Sequence, residues 1–231
     1  MYSWNCKFQT YNREEKSLVR RTKEDALATR HSLLDAAELL FQAKGVSRTS
    51  LNDIARRAGT SRGAIYWHFK DKADLFNAMM QRVTLPLEQT FDNIGKDVGN
   101  PPLNRIRDAL RLAVQRIASD ARTRRVFEVA TQKVEYIDEL QAVRLRHLTV
   151  RNEFLAQVEQ GLRLAAVDQK LRPRIAMTHA AHGLHAMVDG LIQNWLLDTG
   201  GFDLITTSAL AIDVYLAGLG FTVEPSTSIS V

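Results

Sequence analysis

The stretch from Thr49 to Phe69 constrains the fold of this chain more than any other part of it. Ser50, followed three residues later by Asp53, predicts a capping box at the start of a helix. The apolar residues that follow recur at helical spacing: Leu51, Ile54, Ala55 and Ala58. Gly59 then predicts the end of that helix, because glycine most easily adopts the left-handed conformation found there.

A second short helix is expected from Arg62 to about Phe69, with the hydroxyl groups of Thr60 and Ser61 available to cap its start. Ile65 and Phe69 lie four residues apart and are expected to anchor this helix in a core. Two short helices joined by a glycine-containing turn form the helix-turn-helix unit, whose second helix enters the major groove of DNA. The sequence therefore predicts a DNA-binding protein.

The composition of the second helix supports this interpretation. Gly63 and Ala64 are small enough to let the backbone approach base edges, and large aromatic side chains on a surface usually serve binding. The residues expected to contact DNA are Thr49, Ser50, Ser61, Arg62, Gly63, Ala64, Tyr66, Trp67, His68, Lys70 and Lys72. A small helical hairpin with a purely structural role would not need this outward run of donors and rings.

The segment Thr49–Phe76 closely resembles the DNA-binding domain of the tetracycline-repressor (TetR) family. It is most similar to the AcrR-like branch of multidrug-efflux repressors, and the clear match covers about Val19 to Arg82. The resemblance implies a homodimer that places two recognition helices on a palindromic operator in double-stranded DNA. It assigns bases to Arg62, Gly63 and Ala64. It assigns phosphates to Ser50, Ser61, Tyr66, His68 and Lys72.

The resemblance also implies a small lipophilic inducer that binds the C-terminal domain and releases the DNA. The predicted function is repression of a multidrug-efflux operon. The alternative is a regulator of the same family that controls a metabolic operon for lipid or aromatic compounds.

Charge is concentrated where the helix-turn-helix is predicted. The whole chain has a net charge of +5, and residues 18–72 hold eleven Lys and Arg against six Asp and Glu. Residues 73–231 hold 17 against 18, so the basic excess coincides with the motif, as DNA binding requires. Arg20, Arg21 and Lys23 are either a solvated tail or an arm that touches DNA.

The rest of the chain is predicted to be all-α, with a larger helical domain after the DNA-binding domain. We predict an unstructured extension over 1–17, a DNA-binding domain over 18–70, a ligand-binding and dimerisation domain over 71–221, and a tail over 222–231. The DNA-binding domain should contain three short helices, and the first of these is predicted at about 23–44. The later helices are predicted at about 72–94, 103–119, 122–134, 138–167, 174–197 and 204–218. Pro86 should kink or interrupt the first of these later helices.

A ligand pocket is expected on the inner faces of the later helices. Met79, Phe91, Phe127 and Met177 are predicted as its apolar walls, and Gln132, His147 and Asn152 as its polar groups. Thr84 occupies a position where some efflux repressors carry a carboxylate for cationic drugs. We therefore predict a preference for neutral aromatic compounds over dications. The alternative is that these side chains form ordinary core.

The penultimate helix is rich in small residues, which let helices approach closely, and in this family the last two helices form the dimer interface. The predicted interface residues are Gly183, Gly190, Ile192, Trp195, Leu210, Val214 and Tyr215. An internal core helix is the alternative.

Other functional classes have little support in the sequence. His179, His182 and His185 recur every third residue on a helix, so they cannot all point at one ion. We predict no metal site. The alternative is a site made of two of these histidines and a carboxylate from elsewhere in the chain. No catalytic or nucleotide-binding motif occurs, so we expect neither an enzyme nor a cofactor. Cys6 is the single cysteine, and no apolar stretch is long enough to span a membrane. We expect a cytoplasmic protein.

Overall fold

The computed structural model describes residues 5–92, 99–135 and 140–224, with side chains described from Lys23 onward apart from that of Asp92. In this part of the chain the backbone forms α-helices and no β-strand. The helices are α1 (Asn5–Lys44), α2 (Leu51–Arg57), α3 (Arg62–His68), α4 (Lys72–Asp92), α5 (Pro102–Ser119), α6 (Ala121–Gln132), α7 (Gln141–Asp168), α8 (Met177–Leu197) and α9 (Leu204–Gly218). The all-α prediction is confirmed.

The N-terminus differs from the prediction. Helix α1 begins at Asn5, not near Lys23, so residues 5–17 are helical where we expected no structure. No glycine or proline precedes Gly45, and Glu14, Glu15 and Lys16 are good helix formers, so nothing in this segment stops the helix. Gly45 does stop it, with a φ of 85°.

The later helices lie close to their predicted positions. Helix α4 continues through Pro86 without interruption, and α9 covers the predicted range. Helix α8 begins three residues later than expected, at Met177. The predicted end of α4 and the predicted start of α7 lie outside the described residues.

Two hydrophobic cores organise the molecule. The N-terminal core joins α1, α2, α3 and the first half of α4, but it also includes Val126 and Val129 of α6 and Val143 of α7. The C-terminal core joins α5, α8, α9, most of α7 and the second half of α4. The N-terminal core therefore extends beyond residue 70, where the sequence placed the domain boundary.

A buried arginine fixes α9 against α5. Arg107 is 4% exposed, and its guanidinium donates two hydrogen bonds to the carboxylate of Asp213, at 2.8 and 2.9 Å. It also donates to the carbonyl of Glu224 at 3.0 Å. Bidentate pairs of this kind are strong and directional, so the rotation of α9 about its own axis is set by Asp213.

Candidate DNA-binding surface and effector cleft

The start of α2 and the turn from α2 to α3 are held by the local hydrogen bonds that the sequence predicted. The backbone N–H of Asp53 donates to Ser50 Oγ at 3.1 Å, and the N–H of Ser50 donates to Asp53 Oδ2 at 3.2 Å. The Ser50 hydroxyl also donates to Asp53 Oδ2 at 2.6 Å, and this hydrogen bond, with the one from the Ser50 N–H, lowers the pKa of the Asp53 carboxyl. Ser61 caps α3 by accepting from the N–H of Ala64 at 3.1 Å. Gly59 has a φ of 68°, a left-handed conformation that would strain any residue with a side chain.

Helix α3 is anchored by one face and presents the other to solvent. Ile65 is fully buried and Phe69, just after the helix, is 1% exposed. On the opposite face Trp67 is 74% exposed and Tyr66 49% exposed. The guanidinium of Arg62 lies over the Tyr66 ring at 5.7 Å. We call Arg62, Tyr66, Trp67 and His68 the recognition face.

His68 has an environment that the sequence did not reveal. It is half-buried, and burial, together with the nearby charge of Arg30, lowers its pKa. Arg30 comes from α1 and places its guanidinium 5.0 Å from the centre of the Phe69 ring. Arg30 was therefore missed as a neighbour of the recognition face, because it lies more than thirty residues away in the chain.

Two of the residues predicted to contact DNA are turned into the protein. Thr49 is 1% exposed and its hydroxyl donates to the carbonyl of Gly45 at 2.8 Å. Lys72 is 8% exposed and its ammonium donates to the carbonyl of Ser47 at 3.5 Å. Both assignments are corrected for this conformation, because the side chains are occupied within the fold. The other predicted residues lie on the exposed side or at its edge: Ser50, Ser61, Arg62, Gly63, Ala64, Tyr66, Trp67, His68 and Lys70.

A cleft lies between α4 and α7, closed at one end by α6. We call it the effector cleft, and its lining residues are Phe76, Asn77, Met80, Gln81, Thr84, Ala130, Val143, Arg146, His147 and Val150. Its volume is about 60 Å³. Pockets for drug-sized ligands are roughly 300–1,000 Å³, so the cleft has to widen before it can enclose such a molecule.

The chemistry of the effector cleft is apolar with a few hydrogen-bonding groups. None of its lining residues is acidic, while Arg146 lies 3.5 Å from Glu88, which is not among them. The sequence contains a signal for this site, since Asn77, Gln81 and Thr84 recur at i, i+4 and i+7 on α4. On an amphipathic helix such a polar stripe marks the side that is not buried in the core, and here that side lines the cleft.

The structure brings one of the seven predicted pocket residues, His147, into this cleft. Met79 is fully buried in the N-terminal core, and Met177 is buried in the C-terminal core. Phe91 packs edge-on against Phe154, with ring centres 4.7 Å apart. The remaining three lie elsewhere as well: Phe127 packs against both cores, and Gln132 and Asn152 are exposed. Helical spacing gave no means of telling core from cleft.

The predicted dimer residues divide into two groups. Leu210 and Val214 are 54% and 72% exposed on α9, on the side that the Asp213 anchor turns outward. Ile192 and Trp195 are buried in the chain's own C-terminal core, so their assignment to an interface is corrected. Leu197, which was not among the predicted residues, is 73% exposed.

The small residues of α8 also have separate roles. A Cβ added at Gly183 would meet the hydroxyl of Tyr215 within the same chain, so Gly183 and Tyr215 join α8 to α9. A Cβ at Gly190 would meet nothing within 4 Å. The space beside Gly190 is therefore open, whereas the space beside Gly183 is filled by Tyr215.

Comparison with known proteins agrees with this geometry. The family model described as "Bacterial regulatory proteins, tetR family" matches residues 33–79. The model described as "MAATS-type transcriptional repressor, C-terminal region" matches residues 101–221. The chain belongs to the TetR family of bacterial regulatory proteins.

Within the TetR family, several relatives are similar over most of their length. The HTH-type transcriptional regulator TtgR of Pseudomonas putida is 36% identical over 196 residues, which are 81% of this chain and 90% of TtgR. The crystal structure of NalD, the secondary repressor of the MexAB-OprM multidrug efflux pump in Pseudomonas aeruginosa, is 36% identical with a TM-score of 0.78. That match covers 84% of this chain and 98% of NalD.

A third relative has a ligand. The complex of SmeT with triclosan is 30% identical, has a TM-score of 0.73, and covers 87% of this chain and 100% of SmeT. SmeT is the repressor of the Stenotrophomonas maltophilia multidrug efflux pump SmeDEF. The resemblance to the AcrR-like branch is thus confirmed for this TetR-family chain.

The histidines of α8 have different environments. His182 Nδ1 lies 2.8 Å from the carbonyl of Thr178, and burial lowers the pKa of His185. Throughout the described part of the chain, no three metal-ligating side chains lie close enough together to hold an ion. No helix among the described residues is long and apolar enough to cross a membrane.

Proposed function

We propose that this chain is a homodimeric repressor of a multidrug-efflux operon, released from a palindromic operator by a small lipophilic aromatic compound. The observation that carries the proposal is the recognition face: Trp67 and Tyr66 are held open to solvent on a helix whose other side is anchored by Ile65 and Phe69. Such a surface costs solubility unless it binds something. As a DNA-binding protein it would work in the cytoplasm.

Roles on the DNA follow from exposure and charge. Arg62, with Gly63 and Ala64 at the start of α3, would read bases, because the first residues of a recognition helix reach base edges. Lys70 and the hydroxyl of Ser61 would bind phosphates, whereas the hydroxyl of Ser50 donates to Asp53 and would have to exchange that bond for one to a phosphate. The lowered pKa of His68 keeps its ring neutral near pH 7, so it would act as an uncharged hydrogen-bonding group.

Two variants separate base reading from phosphate binding. An operator is first isolated by selecting bound DNA from a random pool. Arg62→Ala should then cost about 1–3 kcal/mol on that operator and relax preference at particular base pairs. Lys70→Ala should weaken binding to all sequences and reduce the log–log salt slope by about 0.9. Arg163→Ala, an exposed change on α7, is the control. Equal loss on operator and random DNA for Arg62→Ala would remove its base-reading role.

The dimer is supported by the apolar residues left uncovered on α8 and α9. Leu197, Leu210 and Val214 are all more than half exposed in the single chain, and large apolar side chains left open to solvent on neighbouring helices favour an interface that covers them. A second copy of the same face would cover them with two-fold symmetry.

The ligand class is supported by the effector cleft. Since none of its lining residues is acidic, a dication would lose its hydration without gaining an opposite charge. SmeT, a relative with the same fold, binds triclosan, a small chlorinated aromatic compound. Triclosan should therefore raise the melting temperature of this chain and release the selected operator, and the lipophilic dication dequalinium should do neither. If dequalinium raised the melting temperature and released the operator while triclosan did neither, the ligand assignment would be wrong.

A further inference from the structure

One wall of the effector cleft carries a positive charge. Four residues of α7 line the cleft at helical spacing: Val143, Arg146, His147 and Val150. Arg146 is always charged, because a guanidinium does not lose its proton in a protein. Among the described residues that line the cleft there is no lysine and no carboxylate. A molecule that enters the cleft therefore meets a guanidinium.

The partner of Arg146 lies just outside the lining. The polar stripe of α4 continues to Glu88, four residues after Thr84 on the same helix. Glu88 Oε1 lies 3.5 Å from an Nη atom of Arg146, although Glu88 is not itself among the lining residues. The ion pair therefore joins α4 to α7 at the edge of the cleft, and a ligand inside the cleft meets the arginine before the carboxylate.

This ion pair is incomplete. Strong pairs of a carboxylate with a guanidinium share two short hydrogen bonds. Glu88 Oε1 is buried from solvent and has no hydrogen-bond partner among the described residues. Within the same part of the chain, the ion pair with Glu88 is the only polar contact of the Arg146 guanidinium. Arg146 therefore keeps donors that Glu88 does not use.

Arg107 of the same protein shows how many acceptors one guanidinium can serve. It donates to three separate groups: a carboxylate, a side-chain amide and a backbone carbonyl. A guanidinium has five N–H donors in a fixed plane. Arg146 can therefore bind an oxygen atom of a ligand while its ion pair with Glu88 is still in place.

The apolar part of the lining decides which kind of molecule can carry that oxygen. It includes Phe76, Met80, Val143 and Val150. A strongly hydrated anion such as inorganic phosphate would lose its water against these side chains. An aromatic ring with one ionised oxygen loses less, because its charge is delocalised and its ring buries apolar surface against them. An acidic phenol has both features.

We propose that the effector cleft selects weakly acidic aromatic compounds, and that Arg146 binds their ionised oxygen. Because it names the charge of the ligand that releases the DNA, this assignment rests on the proposed function. Glu88 has the opposite effect, since its carboxylate repels the ligand anion and neutralises part of the guanidinium charge. The cleft therefore discriminates by charge as well as by shape.

The test compares two probes of nearly the same shape. One is the trichlorophenol with chlorine at the para and both ortho positions, and the other is its methyl ether, which cannot ionise. The three chlorine atoms lower the pKa of the phenol well below the value of about 10 for tyrosine, so the phenol is an anion at mildly alkaline pH. Dissociation constants are measured by calorimetry on the free protein at that pH.

The measured quantity is the preference for the phenol, taken as the dissociation constant of the ether divided by that of the phenol. Arg146→Gln should lower this preference about tenfold or more, because hydrogen bonds to charged groups are strong. Arg146→Lys keeps the charge without the planar fork and should lower it less. Glu88→Gln should raise it. Arg144→Gln, which removes the same charge from an exposed position of α7, is the matched control and should leave it unchanged.

The outcomes separate this assignment from the proposed function. A preference that stays at the wild-type value in Arg146→Gln would overturn the charge selection, even if both probes released the operator. Binding of the phenol that depends on Arg146, without release of the operator, would support the anion site and contradict the proposed release. If neither probe bound the wild type, both would be wrong. Arg146 and Glu88 are partly exposed, so their variants should fold.

Discussion

Replacing Gly183 by alanine should disrupt the contact between α8 and α9. The new Cβ would lie 2.2 Å from the Tyr215 hydroxyl oxygen and 3.1 Å from the ring carbon that carries it. That hydroxyl donates a hydrogen bond to the carbonyl of Ala180 at 2.9 Å, and burial raises its pKa. The tyrosine cannot keep this hydrogen bond beside a methyl group, so either its ring rotates away or the two helices move apart.

The size of the effect follows from three contributions. Losing the hydrogen bond costs about 0.5–1.5 kcal/mol, and forcing atoms into packed space costs about 1–3 kcal/mol. Removing a glycine from a helix interior returns about 1 kcal/mol. The net loss is about 0.5–3.5 kcal/mol, a fall of roughly 1–14 °C in melting temperature for a chain of this length.

Gly190→Ala is the matched control, because it makes the same change on the same helix with nothing within 4 Å. It should raise the free energy of unfolding of the protomer by about 0.5–1 kcal/mol. Both variants are unfolded in urea at one fixed protein concentration, since dimerisation makes stability depend on concentration. Tyr215→Phe in the Gly183→Ala background should recover part of the loss. A Gly183→Ala protein as stable as the wild type would refute this account of the contact.

Two further predictions concern pH and assembly. Burial, together with the nearby charge of Asp35, raises the pKa of the Glu38 carboxyl above its usual 4.5 by more than Arg122, Arg82 and Arg125 lower it. The stability contributed by Glu38 is therefore fully present below pH 4.5 and lost as the pH rises through the raised pKa. Relative to Glu38→Gln, the wild type should lose stability over that interval in urea titrations, and a relative gain would contradict the pKa direction. Val214→Lys should leave the protomer folded, because Val214 is 72% exposed, yet dissociate the dimer in sedimentation experiments; an intact dimer would exclude this face.

The helix-turn-helix could be predicted from the sequence because its determinants are local. Ser50 and Asp53 satisfy each other across three residues, and Gly59 takes its left-handed conformation from its own lack of a side chain. The inward direction of Ile65 and Phe69 follows from their spacing on one short amphipathic helix. The family resemblance rested on the same residues, which is why fold and family were both accessible without coordinates.

The effector cleft could be predicted only in part from the sequence. Asn77, Gln81 and Thr84 form a stripe at helical spacing on α4, and only Thr84 of these entered the ligand prediction. The opposite wall, with Arg146 and His147, comes from a helix more than sixty residues away. Apolar residues such as Met79 and Met177 looked equally suitable as pocket walls, because a buried core position and a cleft position need the same chemistry in one dimension.

Helices α8 and α9 show what only packing decided. Both are apolar on more than one side, so their sequences do not distinguish the face covered by the chain itself from the face left open. The ion pair between Asp213 and the buried Arg107 fixes α9 with Val214 facing outward. Other ion pairs join Asp35 and Glu38 of α1 to arginines as distant in the chain as Arg125. Hydrogen bonds and spacing between neighbouring residues can be read along a chain, because they follow from local geometry. Which face is buried, and which distant charges meet, depends on how whole helices pack, and that was decided by the tertiary structure.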